Sequence, residues 1–335
     1  MKRQTVHRVF AIVLAMLLTC LFGCMKNTKS AQATPTPQQV QIVEFDSLSD
    51  PGSDAAEHTG IYCVDETTAE ENSGAYASVE SDENAVLVEN GGTLSMTKAD
   101  VNKLGDATEA VSSGQNAAIA ATTGGQCTLS ECIVTSNAVG GIGLYASGFS
   151  TLLTATDCYL VTSSSSSAGL CATDGAAISF SGGNVSTEGT DSPCLLLSGN
   201  ASLSLSGASL SSSGSDLLSV VSGDCSLTAS AQTLTGTVSI ANGATLSLSL
   251  TNGSAFSGSF RDSLPARANV LLDASSSWSL TEDVYVSVFS NADTTQQNIA
   301  SNGFSIYYDS EAAGNAALNS QSFLLPGGGF LAPVI

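Results

Sequence analysis

Between residues 84 and 261, short runs of alternating apolar and polar residues recur between turn-forming residues. In one such run Leu246, Leu248 and Leu250 alternate with serines. A spacing of two residues is the period of a half-buried strand. Clusters of Ser and Gly, such as residues 163–167 and 211–214, interrupt the runs and are poor helix interiors. The pattern therefore predicts many short strands and very little helix.

The runs repeat with a period of about 25 residues, as expected for a repeat protein. Each unit holds an apolar run, a Gly, Asn or Asp turn and an alternating run. The apolar residue after each turn recurs at steps of 33, 25, 26, 25, 24 and 19 residues, and the first step is long because of an insertion between Lys98 and Val111. We expect these residues to face inward: Leu94, Cys127, Leu152, Ile178, Leu203, Leu227 and Leu246. Such a unit fits one coil of a parallel β-solenoid.

The turns favour residues that tolerate a left-handed backbone. We expect Asp174, Asn200, Asp224 and Asn242 to recur there for this structural reason. The ends of a stack of coils are exposed sheet edges, which need covering. The acid-rich residues 43–83 are the predicted N-terminal cap, and residues 262–335 are the predicted C-terminal β cap.

The turn-and-strand units from Asn84 to about Phe260 resemble those of right-handed parallel β-helix proteins of the pectate-lyase-like architecture. More narrowly, the chain resembles the β-helical, adhesin-like surface lipoproteins of Gram-positive anaerobes, and residues 270–285 look like the final coil of that group. The resemblance implies an all-β fold, with a right-handed parallel β-helix over residues 84–261. The catalytic Arg of pectate lyases has no counterpart, because these repeats lack Arg.

The N-terminus has the pattern of an export signal. Lys2, Arg3 and Arg8 precede an apolar stretch that is short for a membrane span, and Leu21-Phe22-Gly23-Cys24 follows it. This ending resembles the lipobox of bacterial lipoproteins, which implies cleavage after residue 23 and lipidation of Cys24. Alternatives are an ordinary secretory signal or a short anchor helix. Residues 24–42, rich in Thr, Pro and Gln, are a predicted flexible tether.

Charge limits the possible partners. The chain has 9 Lys and Arg against 30 Asp and Glu, a formal charge of −21, and no basic residue between Lys103 and Arg261. Binding of nucleic acid, anionic polysaccharide or anionic lipid surfaces is therefore disfavoured. No phosphate loop or dinucleotide fingerprint is present, so no cofactor is predicted. The N-terminal lipid would place the protein outside the cytoplasm, on the cell membrane and exposed at the surface. We expect the protein to be monomeric.

Seven cysteines follow Cys24, and their odd number excludes complete intramolecular pairing. Six lie in repeats where neighbouring coils carry Leu, Ala or Ser, so they are predicted to be small core residues. Cys132 and Cys158 occupy equivalent positions in adjacent coils, within disulfide range. Metal binding is not predicted, because no Cys pair has zinc-ligand spacing and no His is nearby. The seven are Cys63, Cys127, Cys132, Cys158, Cys171, Cys194 and Cys225.

Glu131 and Asp157 form the candidate pair for acid–base chemistry or Ca²⁺ binding, since stacked carboxylates shift each other's pKa. The structural alternative, which we favour, places both beside a turn facing solvent.

Two function classes follow from these features. The first is a non-catalytic adhesin-like display scaffold whose Ser/Thr face binds neutral glycan or a surface protein. The second is a glycoside hydrolase or polysaccharide lyase using Glu131 and Asp157, with Asp174 or Asp191. A third idea, an ice-binding or self-assembling face, is weaker because the hydroxyl ladder reads as irregular.

Overall fold

The computed structural model describes residues 57–108, 113–261 and 267–334. In these ranges the chain winds through short strands, about three per coil, and stacks about 11 coils. The predicted all-β parallel solenoid is confirmed. The helix in the described ranges is the short 3-10 helix Ala313–Leu318. The predicted signal peptide (1–23), Cys24 and the predicted tether (24–42) lie outside these ranges.

Each coil adds one strand to each of three faces, so every third strand belongs to the same sheet. Sheet A contains β1 (Gly60–Asp65), β4 (Asn84–Glu89), β7 (Ala117–Thr122), β10 (Ile142–Ser147), β13 (Leu170–Thr173), β16 (Leu195–Leu197), β19 (Leu218–Val220), β22 (Val238–Ile240) and β25 (Phe260–Arg261). Sheet B contains β2 (Thr68–Asn72), β5 (Thr93–Thr97), β8 (Gln126–Ser130), β11 (Leu152–Thr156), β14 (Ala177–Ser181), β17 (Ser202–Ser206), β20 (Asp224–Ser230), β23 (Thr245–Thr251), β26 (Ala268–Leu272) and β29 (Val288–Asn291).

The third face is divided between two sheets, and a fifth sheet forms at the C-terminal end. Sheet C contains β3 (Ala75–Ser78), β6 (Asp100–Lys103), β9 (Ile133–Ser136), β12 (Tyr159–Thr162), β15 (Asn184–Thr187) and β18 (Ser209–Ser212). Sheet D contains β21 (Thr233–Thr235), β24 (Ala255–Gly258), β27 (Ser277–Leu280) and β30 (Ile299–Ala300). Sheet E contains β28 (Val284–Val286), β31 (Ile306–Tyr308), β33 (Phe330–Pro333) and β32 (Phe323–Leu324), which is antiparallel to β33.

The stacking continues on both sides of the predicted repeat range, residues 84–261. Strands β1, β2 and β3 pair in parallel with β4, β5 and β6. At the other end β26 pairs with β23 and β29, and β28 pairs with β31, all in parallel. Both segments assigned to caps therefore contribute strands of the parallel stack.

The inward column of sheet B corrects one predicted position. Leu94, Ile178, Leu203 and Leu227 are buried as expected, but Leu152 is 40% exposed and Leu153 takes its place. Because the two leucines are adjacent, a period-2 pattern fits either of them as the inward residue. A shift of one residue exchanges the inward and outward sides of the strand. Leu246 is also buried, but the partner of Leu227 is Leu248. Cys127 completes this column and is buried as well.

Left-handed residues stand at all three corners of the coil. Between sheets A and B, Asp174 and Asn200 have φ of 52° and 66°, as expected for these residue types. In the following coils the left-handed residues are Gly223 and Gly243. Asp224 lies in β20, so the prediction for Asp224 and Asn242 is wrong by one residue.

The core changes in composition along the axis. The coils up to β20 are filled mainly by Leu, Ile, Val, Ala and Cys. Farther along, Phe256 stacks on Trp278 at 5.7 Å, and the edge of Phe260 meets the same indole at 5.5 Å. The Trp278 Nε1–H donates to the Gly258 carbonyl at 3.1 Å, which satisfies its one polar atom. Aromatic rings replace aliphatic side chains where the stack nears its end.

Candidate functional site

The outward surface of sheet B carries two adjacent columns of hydroxyl groups, which we call the hydroxyl face. Each column has one Ser or Thr in each of seven consecutive coils. The first column is Ser95, Thr128, Thr154, Ser179, Ser204, Thr228 and Ser249, and the second is Thr97, Ser130, Thr156, Ser181, Ser206, Ser230 and Thr251. The hydroxyls are therefore continuous, although Ser and Thr follow no fixed order. The predicted irregular ladder is thus irregular in the order of Ser and Thr but continuous in its hydroxyl groups.

Parallel stacking sets the spacing of this face. Neighbouring strands lie about 4.8 Å apart, and alternate residues along a strand are about 6.6 Å apart. The hydroxyls thus form a two-column lattice bounded in the first column by Glu70 at one end and Leu271 at the other. Inward side chains at the alternating positions hold the lattice in place, because they are buried in the core.

The first column differs from the second in its hydrogen bonding. Within the described ranges its seven hydroxyls have no hydrogen-bond partner. The second column is partly occupied, since Ser181 Oγ donates to Thr156 Oγ1 at 3.2 Å and Asn252 Nδ2 donates to Ser230 Oγ at 2.8 Å. Seven unpartnered hydroxyls in register can each donate and accept.

Glu131 and Asp157 lie at the corner between sheets B and C, both exposed and both in the left-handed conformation with φ of 52°. Glu131 Oε2 is 3.7 Å from Lys98 Nζ in the preceding coil. The Asp157 carboxylate lies over Gly182 in the following coil, where a Cβ would come within 2.0 Å of Oδ1. The two carboxylates, although stacked one coil apart, are directed to opposite neighbours.

The other two carboxylates of the enzyme hypothesis lie elsewhere. Asp174 is at the corner between sheets A and B, where Ser147 Oγ donates to its carboxylate at 3.0 Å. Asp191 is in the connection from β15 to β16 and has a φ of 54°. The fold therefore brings Glu131 and Asp157 to one corner but places neither Asp174 nor Asp191 beside them.

Beside this corner is a small exposed apolar surface. Ile133 and Tyr159 are register partners on the outward side of sheet C, and they are 47% and 52% exposed. Glu131 precedes Ile133 by two residues, and Asp157 precedes Tyr159 in the same way. We call these four residues the corner platform. An exposed aromatic ring next to carboxylates can stack on an apolar surface while the carboxylates accept hydrogen bonds.

The cysteines of the repeats are buried as predicted, whereas Cys63 is exposed. Cys132 and Cys158 stack in adjacent coils, since Ile133 pairs with Tyr159. A hydrogen bond between the two thiols lowers the pKa of Cys132 and raises the pKa of Cys158. Burial raises the pKa of Cys127 to about 12, which keeps that thiol protonated and unreactive.

The sequence analysis missed a second buried layer, on the outward side of sheet A. The side chains in this layer are apolar and at most 4% exposed: Leu87, Ala117, Ala120, Ile142, Tyr145, Ala168, Cys171 and Leu196. The Tyr145 ring packs against Gly114 and lies 6.0 Å from the His58 ring. Its hydroxyl is 3.2 Å from Thr173 Oγ1. Continuous apolar runs in β4, β7 and β10 were the available signal, because such runs indicate strands covered on both sides.

A buried lysine also escaped the sequence analysis. Lys103 is fully buried at the corner between sheets C and A, and its ammonium donates to Ser78 Oγ at 3.3 Å and to the Glu80 carbonyl. Burial lowers its pKa, and Glu83 is the strongest of several acids that offset this effect. Lys103 fixes the connection between β3 and β4.

The described ranges contain no group of three or more His, Cys, Asp or Glu side chains that could hold a metal ion. None of the helical structure in the described part of the chain is long and apolar enough to cross a membrane. The fold defines the chain as a parallel β-solenoid protein with columns of hydroxyl groups on the outward side of sheet B. No known protein family, curated protein or solved structure matches the chain.

Proposed function

We propose that this protein is a lipid-anchored, surface-displayed β-solenoid that binds a neutral glycan or a surface protein through its hydroxyl face, without catalysis. The observation that carries the proposal is the first hydroxyl column, from Ser95 to Ser249, which is in register over seven coils and unpartnered. A rigid core holds these groups in position before binding. Preorganised groups lose little conformational entropy when they engage a ligand.

Charge favours a neutral ligand. The range between Lys103 and Arg261 contains no Lys or Arg, and it includes six of the seven coils behind the hydroxyl face in full. An anionic polymer would meet no cation along these coils. A glycan rich in hydroxyl groups can exchange donor and acceptor roles with Ser and Thr, and the exposed Tyr159 ring of the corner platform offers a surface for a sugar ring.

The anchor rests on the sequence features at Cys24. Replacement of Cys24 by Ala should abolish partition into the membrane fraction, leaving the protein secreted or uncleaved. A Cys24→Ala protein that is processed and still bound to the membrane would show that the lipobox interpretation is wrong.

Binding is tested with the full-length protein on arrays of neutral glycans and in pull-downs with neutral polysaccharides. The variant Thr128→Val/Thr154→Val/Thr228→Val removes three hydroxyls of the first column with almost no change in shape. The matched control, Thr135→Val/Thr233→Val/Thr235→Val, makes the same changes on the outward sides of sheets C and D. We expect binding to be lost in the first variant and kept in the control. Equal binding by both variants would overturn the assignment to the hydroxyl face.

The same samples test the alternative of a carbohydrate-active enzyme at Glu131 and Asp157. The two carboxylates are one coil apart beside an exposed tyrosine, which is the observation in its favour. Release of reducing ends or unsaturated products from a neutral polysaccharide, lost in both Glu131→Gln and Asp157→Asn, would replace the binding proposal with a catalytic one. We expect no turnover in any of these proteins.

A further inference from the structure

We infer that Cys132 and Cys158 form a disulfide that joins two adjacent coils of the solenoid when the chain folds in an oxidising compartment. The two residues directly precede β9 and β12, whose register pairs Ile133 with Tyr159. The Tyr159 N–H donates to the Cys132 carbonyl at 2.9 Å. The Cα atoms are thus about one strand spacing, ~4.8 Å, apart, within the range of disulfides.

The sulfur atoms occupy matching places in their coils. Cys132 Sγ is 3.4 Å from the Ser130 carbonyl, and Cys158 Sγ is 3.5 Å from the Thr156 carbonyl. In each case the carbonyl belongs to the residue two positions earlier. Both side chains are buried, one coil apart, and Cys132 Sγ also lies 3.5 Å from the Met96 carbonyl of the preceding coil. A disulfide requires a side-chain rotation that moves Cys132 Sγ from this carbonyl toward Cys158.

The residues above and below the pair are small. The neighbours of the pair in the same column are Ala99 on one side and Gly183 on the other, as the registers of β6 with β9 and β12 with β15 show. Both are small. Two linked sulfurs would thus lie between an Ala methyl and a Gly, where a larger residue would block them.

This is the one in-register cysteine pair in the described ranges. Cys127 is stacked between Leu94 and Leu153. Cys171 is stacked between Tyr145 and Leu196. The strand register therefore explains why Cys132 and Cys158 can form a disulfide while the other buried cysteines of the repeats remain thiols.

The reaction needs an oxidant, which we take to be a small-molecule disulfide such as glutathione disulfide. One cysteine thiolate attacks the oxidant, forms a mixed disulfide and releases one thiolate. The second cysteine then attacks the protein sulfur of that mixed disulfide and releases the second thiolate. The two cysteine protons end on the released thiolates. The protein loses two hydrogen atoms, and one disulfide is reduced to two thiols. Both sulfurs are buried in the finished solenoid, so the reaction takes place before the later coils stack.

The test uses full-length protein refolded with glutathione disulfide, alkylated in denaturant and cleaved after acidic residues. Cleavage after Glu131, Asp157 and Asp174 places Cys132 and Cys158 in separate peptides. We expect residues 132–157 to be joined to residues 158–174 until a reductant is added. Since the second peptide also contains Cys171, the Cys171→Ser variant should keep the link and the Cys158→Ser variant should lose it.

Cys127→Ser is the matched control, because it removes a buried cysteine that has no cysteine partner, and its peptides should stay joined. If Cys132 and Cys158 of the refolded wild-type protein are both found alkylated without prior reduction, the inference is overturned. A link that survives in Cys158→Ser and disappears in Cys171→Ser would also overturn it, because it would assign the bond to Cys171. The wild-type peptide map alone decides the question if a variant fails to fold.

Discussion

Sheets A and B are built by the same coils, yet their outward sides are opposites. In a single coil, Leu196 on sheet A is 4% exposed, whereas Ser204 on sheet B faces solvent. Sheet A is apolar on both sides over several coils, and its outward layer is buried. Sheet B alternates along most of its strands and leaves the hydroxyls of its first outward column without internal hydrogen bonds. One side of the solenoid is covered by a second apolar layer, and the other is exposed to solvent.

The difference follows from the strand sequences. A strand with one buried side needs apolar residues only at every second position, and Ser202–Ser206 follows this rule. A strand covered on both sides can be apolar throughout, as in the fully buried Leu195–Leu197. The comparison predicts that equal substitutions will have unequal effects on the two sheets.

The largest expected difference comes from placing a charge on each face. Leu196→Asp buries an unpaired carboxylate and should lower the free energy of unfolding by about 3–5 kcal/mol. Ser204→Asp in the same coil stays hydrated and should change it by less than about 0.5 kcal/mol. Urea denaturation of both variants measures the contrast. Similar losses in both would mean that the outward sides of the two sheets are equally covered.

The next effect concerns the aromatic ring in the buried layer of sheet A. Tyr145→Ala should cost about 3–5 kcal/mol, because it leaves a large cavity against Gly114. Tyr145→Phe keeps the ring and removes only the hydrogen bond with Thr173, at a cost of about 1 kcal/mol. Chemical denaturation distinguishes the two. Equal losses would show that the hydroxyl, rather than the ring, holds the layer together.

A smaller effect is expected from His58, which lies against the same ring. Burial lowers the pKa of His58 below its ordinary 6.5, an effect partly offset by a backbone hydrogen bond at Gly114, and its Nδ1 is buried without a partner. The unfolded chain therefore binds the proton more readily. The neutral His58 side chain therefore contributes fully to the free energy of unfolding above pH 6.5. This contribution decreases as the pH falls toward the pKa of His58 in the folded state.

The measurement is the melting temperature of the wild type and of His58→Gln between pH 7.5 and 5. The wild type should lose stability relative to the variant as the pH falls. A constant difference between the two across this range would contradict the burial of His58.

The smallest effect is expected on the hydroxyl face. Thr228→Val removes a hydroxyl that has no partner and places a β-branched residue on an exposed strand position, so stability should change by less than about 0.5 kcal/mol. Differential scanning calorimetry checks this. A loss above about 1 kcal/mol would mean that the hydroxyl has a structural partner, and the face would then be less free to bind.

The sequence pattern predicted the fold because the repeat is redundant. Leu94, Ile178, Leu203 and Leu227 recur at nearly constant steps, and each coil repeats the same choice of buried side. The pattern failed at Leu152, where Leu153 is an equally apolar neighbour. Hydrogen bonds between coils resolve that ambiguity, and they are not visible in the sequence.

The candidate sites were predicted less completely. Glu131 and Asp157 were placed correctly in adjacent coils, because their 26-residue separation equals the local period. Their orientation toward Lys98 and Gly182 depends on contacts with other coils. The sequence shows an irregular order of Ser and Thr on the hydroxyl face, whereas the strand register aligns their hydroxyls in columns.

The sequence by itself determined that this chain forms a parallel β-solenoid with buried leucines and cysteines, since periodicity and residue size are local properties repeated many times. Only the tertiary structure decided which outward side is covered and which is open. The reason is physical: an apolar strand such as Ala117–Thr122 is compatible with one buried side or two, and the choice depends on what packs against it. His58 and Gly114, which lie against Tyr145, contribute part of that covering layer on sheet A.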